Sequence, residues 1–95
     1  MMIFDGHADL LYDVTKWRQA GEDRVFERRH LPRLQAGQIG GLGLSIWTTV
    51  EQDSIWSAHP DWDGWRRTEE MMARAREELA ECPWLALVRT CLLYT

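Results

Sequence analysis

The sequence has few cysteines, no long apolar run and no excess of basic residues, and each of these absences excludes a class of protein. Two cysteines in 95 residues, which form no C-x-x-C motif, cannot build a disulfide scaffold. No apolar run reaches the roughly 18 residues that a membrane-spanning helix needs, so we expect no membrane segment. The formal net charge of −4 argues against a generic nucleic-acid-binding domain, which would carry a basic patch.

The N-terminal segment also lacks the features of an export signal. Asp5 interrupts the opening apolar residues, and no basic residue precedes them. We therefore expect no cleaved signal peptide. Together with the low cysteine count, this favours a reducing compartment, and we predict a cytoplasmic protein.

The length and composition are those of one small globular domain at most. Hydrophobic residues make up 45% of the chain and charged residues 27%, so extensive disorder is not expected. Six tryptophans in so short a chain indicate substantial buried surface.

The apolar periodicity predicts strands that alternate with helices. The predicted strands are Met2–Gly6, Ile39–Val50 and Leu85–Val88. The predicted helices are Leu10–Gln19, a short turn at Leu31–Gly37, and Trp65–Cys82. This alternation is typical of a parallel sheet with crossover helices. The many glycines of the second strand indicate a close backbone approach or a packed barrel wall.

The last predicted helix has the clearest signals. Asp61 or Asp63 is placed to cap its N-terminus, and Pro83 ends it. Residues seven apart form a mostly apolar stripe, which we expect to face the core. The members of this stripe are Trp65, Thr68, Met72, Ala75, Leu79 and Cys82.

The segment Asp5-Gly6-His7-Ala8-Asp9 directly follows the first predicted strand. In an extended chain residues i and i+2 point to the same side, so His7 and Asp9 project together. Imidazole nitrogens and carboxylate oxygens are both zinc ligands, but a catalytic zinc usually has three protein ligands. A loop histidine beside a turn-forming aspartate gives the same tripeptide, and spacing alone leaves that alternative open. For His30 and His59 we expect surface or structural roles.

Two blocks of the sequence resemble the membrane (renal) dipeptidase family of zinc dipeptidases. Asp5-Gly6-His7-Ala8-Asp9-Leu10 is similar to the opening motif of that family, with Ala8 in place of the usual asparagine. The segment from His30 to Gly41, followed by Ser45-Ile46-Trp47, is similar to the family segment that leads into the second barrel strand.

This resemblance implies an α/β fold, namely the N-terminal part of a TIM (β/α)8 barrel of the metal-dependent hydrolase type. Residues 1–90 would hold about three of the eight strands. His7 and Asp9 would bind one Zn2+ of a two-zinc site, while the bridging glutamate and two further histidines would lie outside this chain. Asp5 would hydrogen-bond a ligand, and a turn or cap role is its alternative.

The resemblance also implies a function for the complete protein. It would be an enzyme, a metallodipeptidase that cleaves the peptide bond of dipeptides through a hydroxide activated by two zinc ions. A dipeptide is the expected partner, and a homodimer is left open. We expect the 95 residues alone to be inactive, and we interpret residues 91–95 as a non-native tail. The alternatives are another barrel-type metal-dependent amide or lactone hydrolase, and a non-enzymatic parallel α/β module.

Overall fold

A computed structural model describes residues 2–46 and 55–89 as a small α/β unit with a two-stranded parallel sheet and helices. The strands are β1 (Ile3–Ala8) and β2 (Ile39–Leu44). The α-helices are α1 (Leu10–Gln19), α2 (Leu31–Ala36) and α3 (Gly64–Glu81). A π-helical turn (Phe26–His30) precedes α2, and a 3-10 turn (Ile55–Ala58) lies between β2 and α3. The predicted α/β class is confirmed at this level.

The two strands run parallel, so their carboxyl ends meet at one edge of the sheet. Ile3 lies opposite Ile39, and Ala8 lies opposite Leu44. A Cβ atom on Gly43 would lie 2.6 Å from the carbonyl oxygen of Gly6, which only glycine avoids. The prediction that glycines of the second strand allow a close backbone approach is therefore confirmed at this position.

Strand β1 is exposed on both of its faces. The side chains of Ile3 and Phe4 point to opposite faces and are 48% and 64% exposed. Leu44 at the end of β2 is exposed as well. Parallel sheets normally bury both faces, so this sheet presents apolar surface that the described residues leave uncovered.

The hydrophobic core lies away from β1, where α1 packs against α3 and the π-helical turn. Its buried apolar residues are Leu11, Val14, Val25, Phe26, Trp56 and Met71. Two of them, Leu11 and Val14, are three positions apart in α1 and lie on its buried side. Cys82 is buried at the end of α3, as expected of a small hydrophobic residue.

The bounds of α3 agree with the prediction to within one residue at each end. Asp63 caps the helix, because its Oδ1 accepts a hydrogen bond from the backbone amide of Arg66 at 2.8 Å. The predicted apolar stripe is partly wrong, since Trp65 is 72% exposed and Met72 is also exposed. The buried residues of the helix are Arg67, Met71 and Glu78.

Charged contacts between α1 and α3 explain this orientation of α3. Arg18 donates hydrogen bonds to the carboxylates of Glu78 and Glu81. Glu78 is 4% exposed and also accepts from the backbone amides of Val25 and Phe26. A buried carboxylate needs partners of this kind, and here they hold the polar side of α3 against the rest of the unit.

The predicted third strand is wrong, because residues 85–89 form no strand in the structure. These residues have no β-ladder partner among the described residues, and Leu87 and Val88 remain exposed. Strand β2 ends at Leu44, and the predicted continuation towards Val50 lies outside the described residues from position 47 onwards. The interpretation of residues 91–95 as a tail also concerns residues that are not described. Within the described ranges, no helix is both long and apolar enough to cross a membrane.

Candidate functional site

The candidate site lies at the carboxyl end of β1. His7 belongs to strand β1, which ends at Ala8. Asp9 is the next residue after the strand and the N-cap residue of α1. The two side chains come together, with His7 Nε2 3.2 Å from Asp9 Oδ1. They are 74% and 61% exposed, so a ligand can approach both from solvent. The structure thus brings together the pair that the sequence predicts.

The separation of these two atoms suits a shared metal ion. A zinc ion binds imidazole nitrogen and carboxylate oxygen at about 2.0–2.2 Å in tetrahedral geometry, which places adjacent ligand atoms roughly 3.3–3.5 Å apart. The observed 3.2 Å is close to this separation. In the described part of the chain, no group of three or more His, Cys, Asp or Glu residues could hold a metal ion. The pair alone therefore supplies two ligands of a site that needs more.

Asp5 contacts the backbone of a predicted ligand and not its ring. Its Oδ1 accepts a hydrogen bond from the backbone amide of His7 at 3.1 Å. This contact ties two residues of β1 that are two positions apart, as in a local turn. It corresponds more closely to the turn or cap role of Asp5 than to a hydrogen bond to the imidazole.

Ser45 completes the candidate site from the neighbouring strand. It follows β2 directly, and its hydroxyl donates a hydrogen bond to Asp9 Oδ1. Its backbone amide donates to the carbonyl oxygen of Ala8 at 2.9 Å. Sequence reasoning missed this residue as part of the site. The contact depends on the register between the two parallel strands, which brings the end of β2 beside the end of β1.

The other two histidines lie in separate environments. His30 is buried, and its Nε2 lies 2.7 Å from Asp13 Oδ2. His59 stacks on Trp62 with ring centroids 3.8 Å apart. The structure shows neither of them in contact with His7 or Asp9.

Comparisons of the chain with protein families, with curated proteins and with solved structures find no match.

Proposed function

We propose that this chain is the N-terminal part of a barrel-type zinc dipeptidase, in which His7 and Asp9 are two of the zinc ligands. The observation that carries the proposal is the 3.2 Å approach of His7 Nε2 to Asp9 Oδ1 at the carboxyl end of a parallel strand. In α/β barrels the catalytic groups gather at the carboxyl ends of the strands. The resemblance of the opening motif to zinc dipeptidases supports the same assignment.

The chemistry of the pair fits a zinc site. A neutral imidazole and a carboxylate are the donors that catalytic zinc sites combine, and both donors face solvent here. Bound zinc would supply Lewis-acid polarisation of the scissile peptide carbonyl and of the attacking water. In this proposal the chain supplies the strand end that orients the two ligands, with their donor atoms 3.2 Å apart, towards one zinc ion.

The uncovered sheet supports the barrel part of the proposal. Ile3 and Phe4 expose apolar side chains on the two faces of β1. In a barrel, one face of each strand packs against interior side chains and the other packs against the outer helices. Strands β1 and β2 would be the first two of such a barrel, and the low cysteine count favours a cytoplasmic enzyme.

The same ligand pair would also serve a barrel-type hydrolase of amides or lactones, because the groups that select the substrate lie elsewhere in such enzymes. A non-enzymatic α/β module is the remaining alternative. In that case, the approach of His7 to Asp9 would be an ordinary surface ion pair.

The test uses the product of the complete reading frame that encodes these residues. We expect two zinc ions per chain and hydrolysis of dipeptides, and we expect His7→Ala and Asp9→Asn each to abolish hydrolysis. His59→Ala is the matched control and should retain activity, because His59 has no contact with the pair. Cleavage of amides or lactones but of no dipeptide would favour the first alternative. Full activity in His7→Ala would contradict the proposal.

A further inference from the structure

The hydroxyl of Ser45 binds the carboxylate that His7 also approaches. Both Ser45 Oγ and His7 Nε2 contact Oδ1 of Asp9. Ser45 lies on a different strand end from the other two residues and contributes no metal ligand of its own. Its contact with Asp9 therefore has a role other than binding the metal ion.

The position of Ser45 is fixed by the sheet. Leu44 pairs with Ala8 in the parallel register, and the Ser45 amide continues the ladder by donating to the Ala8 carbonyl. Ser45 Oγ also lies 3.3 Å from that carbonyl oxygen. A hydroxyl has one proton to donate, and the carboxylate of Asp9 is the stronger acceptor. The hydroxyl is thus held by the backbone in a place from which it can restrain Asp9.

The position of Asp9 in the chain favours a different orientation of its carboxylate, which this restraint would oppose. Asp9 occupies the N-cap position of α1, where aspartate side chains usually accept a hydrogen bond from an amide of the first turn. Here the Asp9 side chain makes no such bond. The carboxylate turns instead to the side where Ser45 and His7 lie.

We propose that Ser45 is a positioning residue for the metal ligand Asp9, because its hydroxyl holds the carboxylate towards His7 and away from the N-terminus of α1. The inference rests on the proposed zinc site and adds a residue that orients a ligand without binding the metal. Hydrogen bonds of this outer kind typically contribute about 10–100-fold to metal affinity. Without the hydroxyl, Asp9 would turn back to cap the helix.

The experiment compares Ser45→Ala with Ser45→Thr, which keeps the hydroxyl, and with Thr68→Ala, which removes a hydroxyl that donates to the Gly64 carbonyl within α3. Zinc affinity is measured by titration with zinc chloride on the product of the complete reading frame, in which the remaining ligands of the proposed site would be present. The χ1 angle of Asp9 is measured from three-bond NMR couplings, and stability from thermal unfolding. Couplings and unfolding are recorded without zinc, so that they report the position of the carboxylate independently of metal binding.

We expect Ser45→Ala to raise the zinc dissociation constant about tenfold or more. It should also shift the Asp9 couplings to another rotamer without lowering the unfolding midpoint, because the helix gains a cap. Ser45→Thr and Thr68→Ala should match the wild type in zinc affinity and in the Asp9 rotamer. A merely structural serine would lower the midpoint and leave the Asp9 rotamer in place.

Two results separate failure of this inference from failure of the zinc site. If His7→Ala loses zinc affinity but Ser45→Ala keeps both the affinity and the Asp9 rotamer of the wild type, the role of Ser45 is overturned and the zinc site stands. If His7→Ala binds zinc as tightly as the wild type, the zinc site is overturned, and the role of Ser45 at that site falls with it.

Discussion

At the residue scale, the three histidines differ in what their ring nitrogens can do. His7 is largely exposed, and among the described residues its ring contacts the carboxylate of Asp9. His30 has both nitrogens engaged, because Arg33 Nη2 lies 2.8 Å from its Nδ1 and Asp13 lies at its Nε2. Since arginine can only donate, Nδ1 of His30 accepts and Nε2 donates to Asp13. His30 therefore joins α1 to α2, while His7 is accessible to a metal ion.

Replacing His30 should destabilise the protein, whereas replacing His59 should not. His30→Ala removes a buried donor and acceptor and leaves Asp13 and Arg33 without this partner, so we expect a loss of about 1–3 kcal/mol in the free energy of unfolding. His59→Ala, the control, should change the stability much less. Urea denaturation of the two variants measures the difference, and equal losses would contradict the structural role of His30.

The ligand pair could be predicted from the sequence because its members are two residues apart. Strand alternation places His7 and Asp9 on one side whatever the rest of the fold is. Ser45 was missed because its contact with Asp9 depends on the register between β1 and β2. Thirty-six positions separate the two residues in the chain, and local periodicity carries no information on such a contact.

At the scale of elements, the packing of α1 on α3 depends on a buried carboxylate. Glu78 of α3 accepts from Arg18 of α1 and from the amides of Val25 and Phe26. The bounds of α3 were predictable from its cap and its proline stop, which are local signals. Its buried face was not predictable, because the partners of Glu78 are more than fifty residues away in the sequence.

Removing the Glu78 carboxylate should be among the most destabilising single changes in α3. Glu78→Ala leaves the Arg18 guanidinium and two buried backbone amides without this acceptor, so we expect a loss of about 3–5 kcal/mol. Glu78→Gln should cost less, because its amide oxygen still accepts from the backbone. Glu69→Ala, at an exposed position of the same helix, is the control in urea denaturation. A loss in Glu69→Ala equal to that in Glu78→Ala would contradict this account.

The contact of Glu81 with Arg18 should make the free energy of unfolding depend on pH in the acidic range. Hydrogen bonds from the Arg18 side chain and the Arg24 backbone amide lower the pKa of Glu81 from its ordinary value of 4.5 to about 2. Because the pKa is lower in the folded state, the stabilisation is complete above pH 4.5 and is lost as the pH falls through about 2.

Glu81→Gln removes this titration and tests the assignment. The difference in free energy of unfolding between the wild type and Glu81→Gln should shrink as the pH falls from 4.5 to 2. Glu69→Gln, at an exposed position of the same helix, is measured in parallel as the control. A difference for Glu81→Gln that stays constant over this range would show that Glu81 titrates normally.

At the scale of the whole molecule, strand β1 and the core are separate. The core lies between the helices, while β1 carries exposed apolar side chains on both faces. The α/β class could be predicted from the alternation of elements. The irregular conformation of residues 85–88 could not be predicted, because their apolar sequence is typical of a strand. Among the described residues they have no pairing partner.

The two phenylalanines distinguish the uncovered sheet from the core. Phe26 is 4% exposed and Phe4 is 64% exposed. We expect Phe26→Ala to cost about 3–5 kcal/mol and Phe4→Ala to leave stability nearly unchanged. Phe4→Ala should also reduce the fluorescence of a bound apolar dye, since Phe4 belongs to the exposed surface. Equal destabilisation by the two substitutions would show that β1 is covered in solution.

A zinc titration of the product of the complete reading frame, followed through the ring-proton NMR signals of His7, His30 and His59, examines the ligand pair itself. We expect the His7 signals to shift first and Asp9→Asn to weaken this response. His30 and His59 should stay unchanged, since one is buried between Asp13 and Arg33 and the other is stacked on Trp62. A titration in which His59 or His30 responds while His7 does not would contradict the assignment of His7 and Asp9 as zinc ligands.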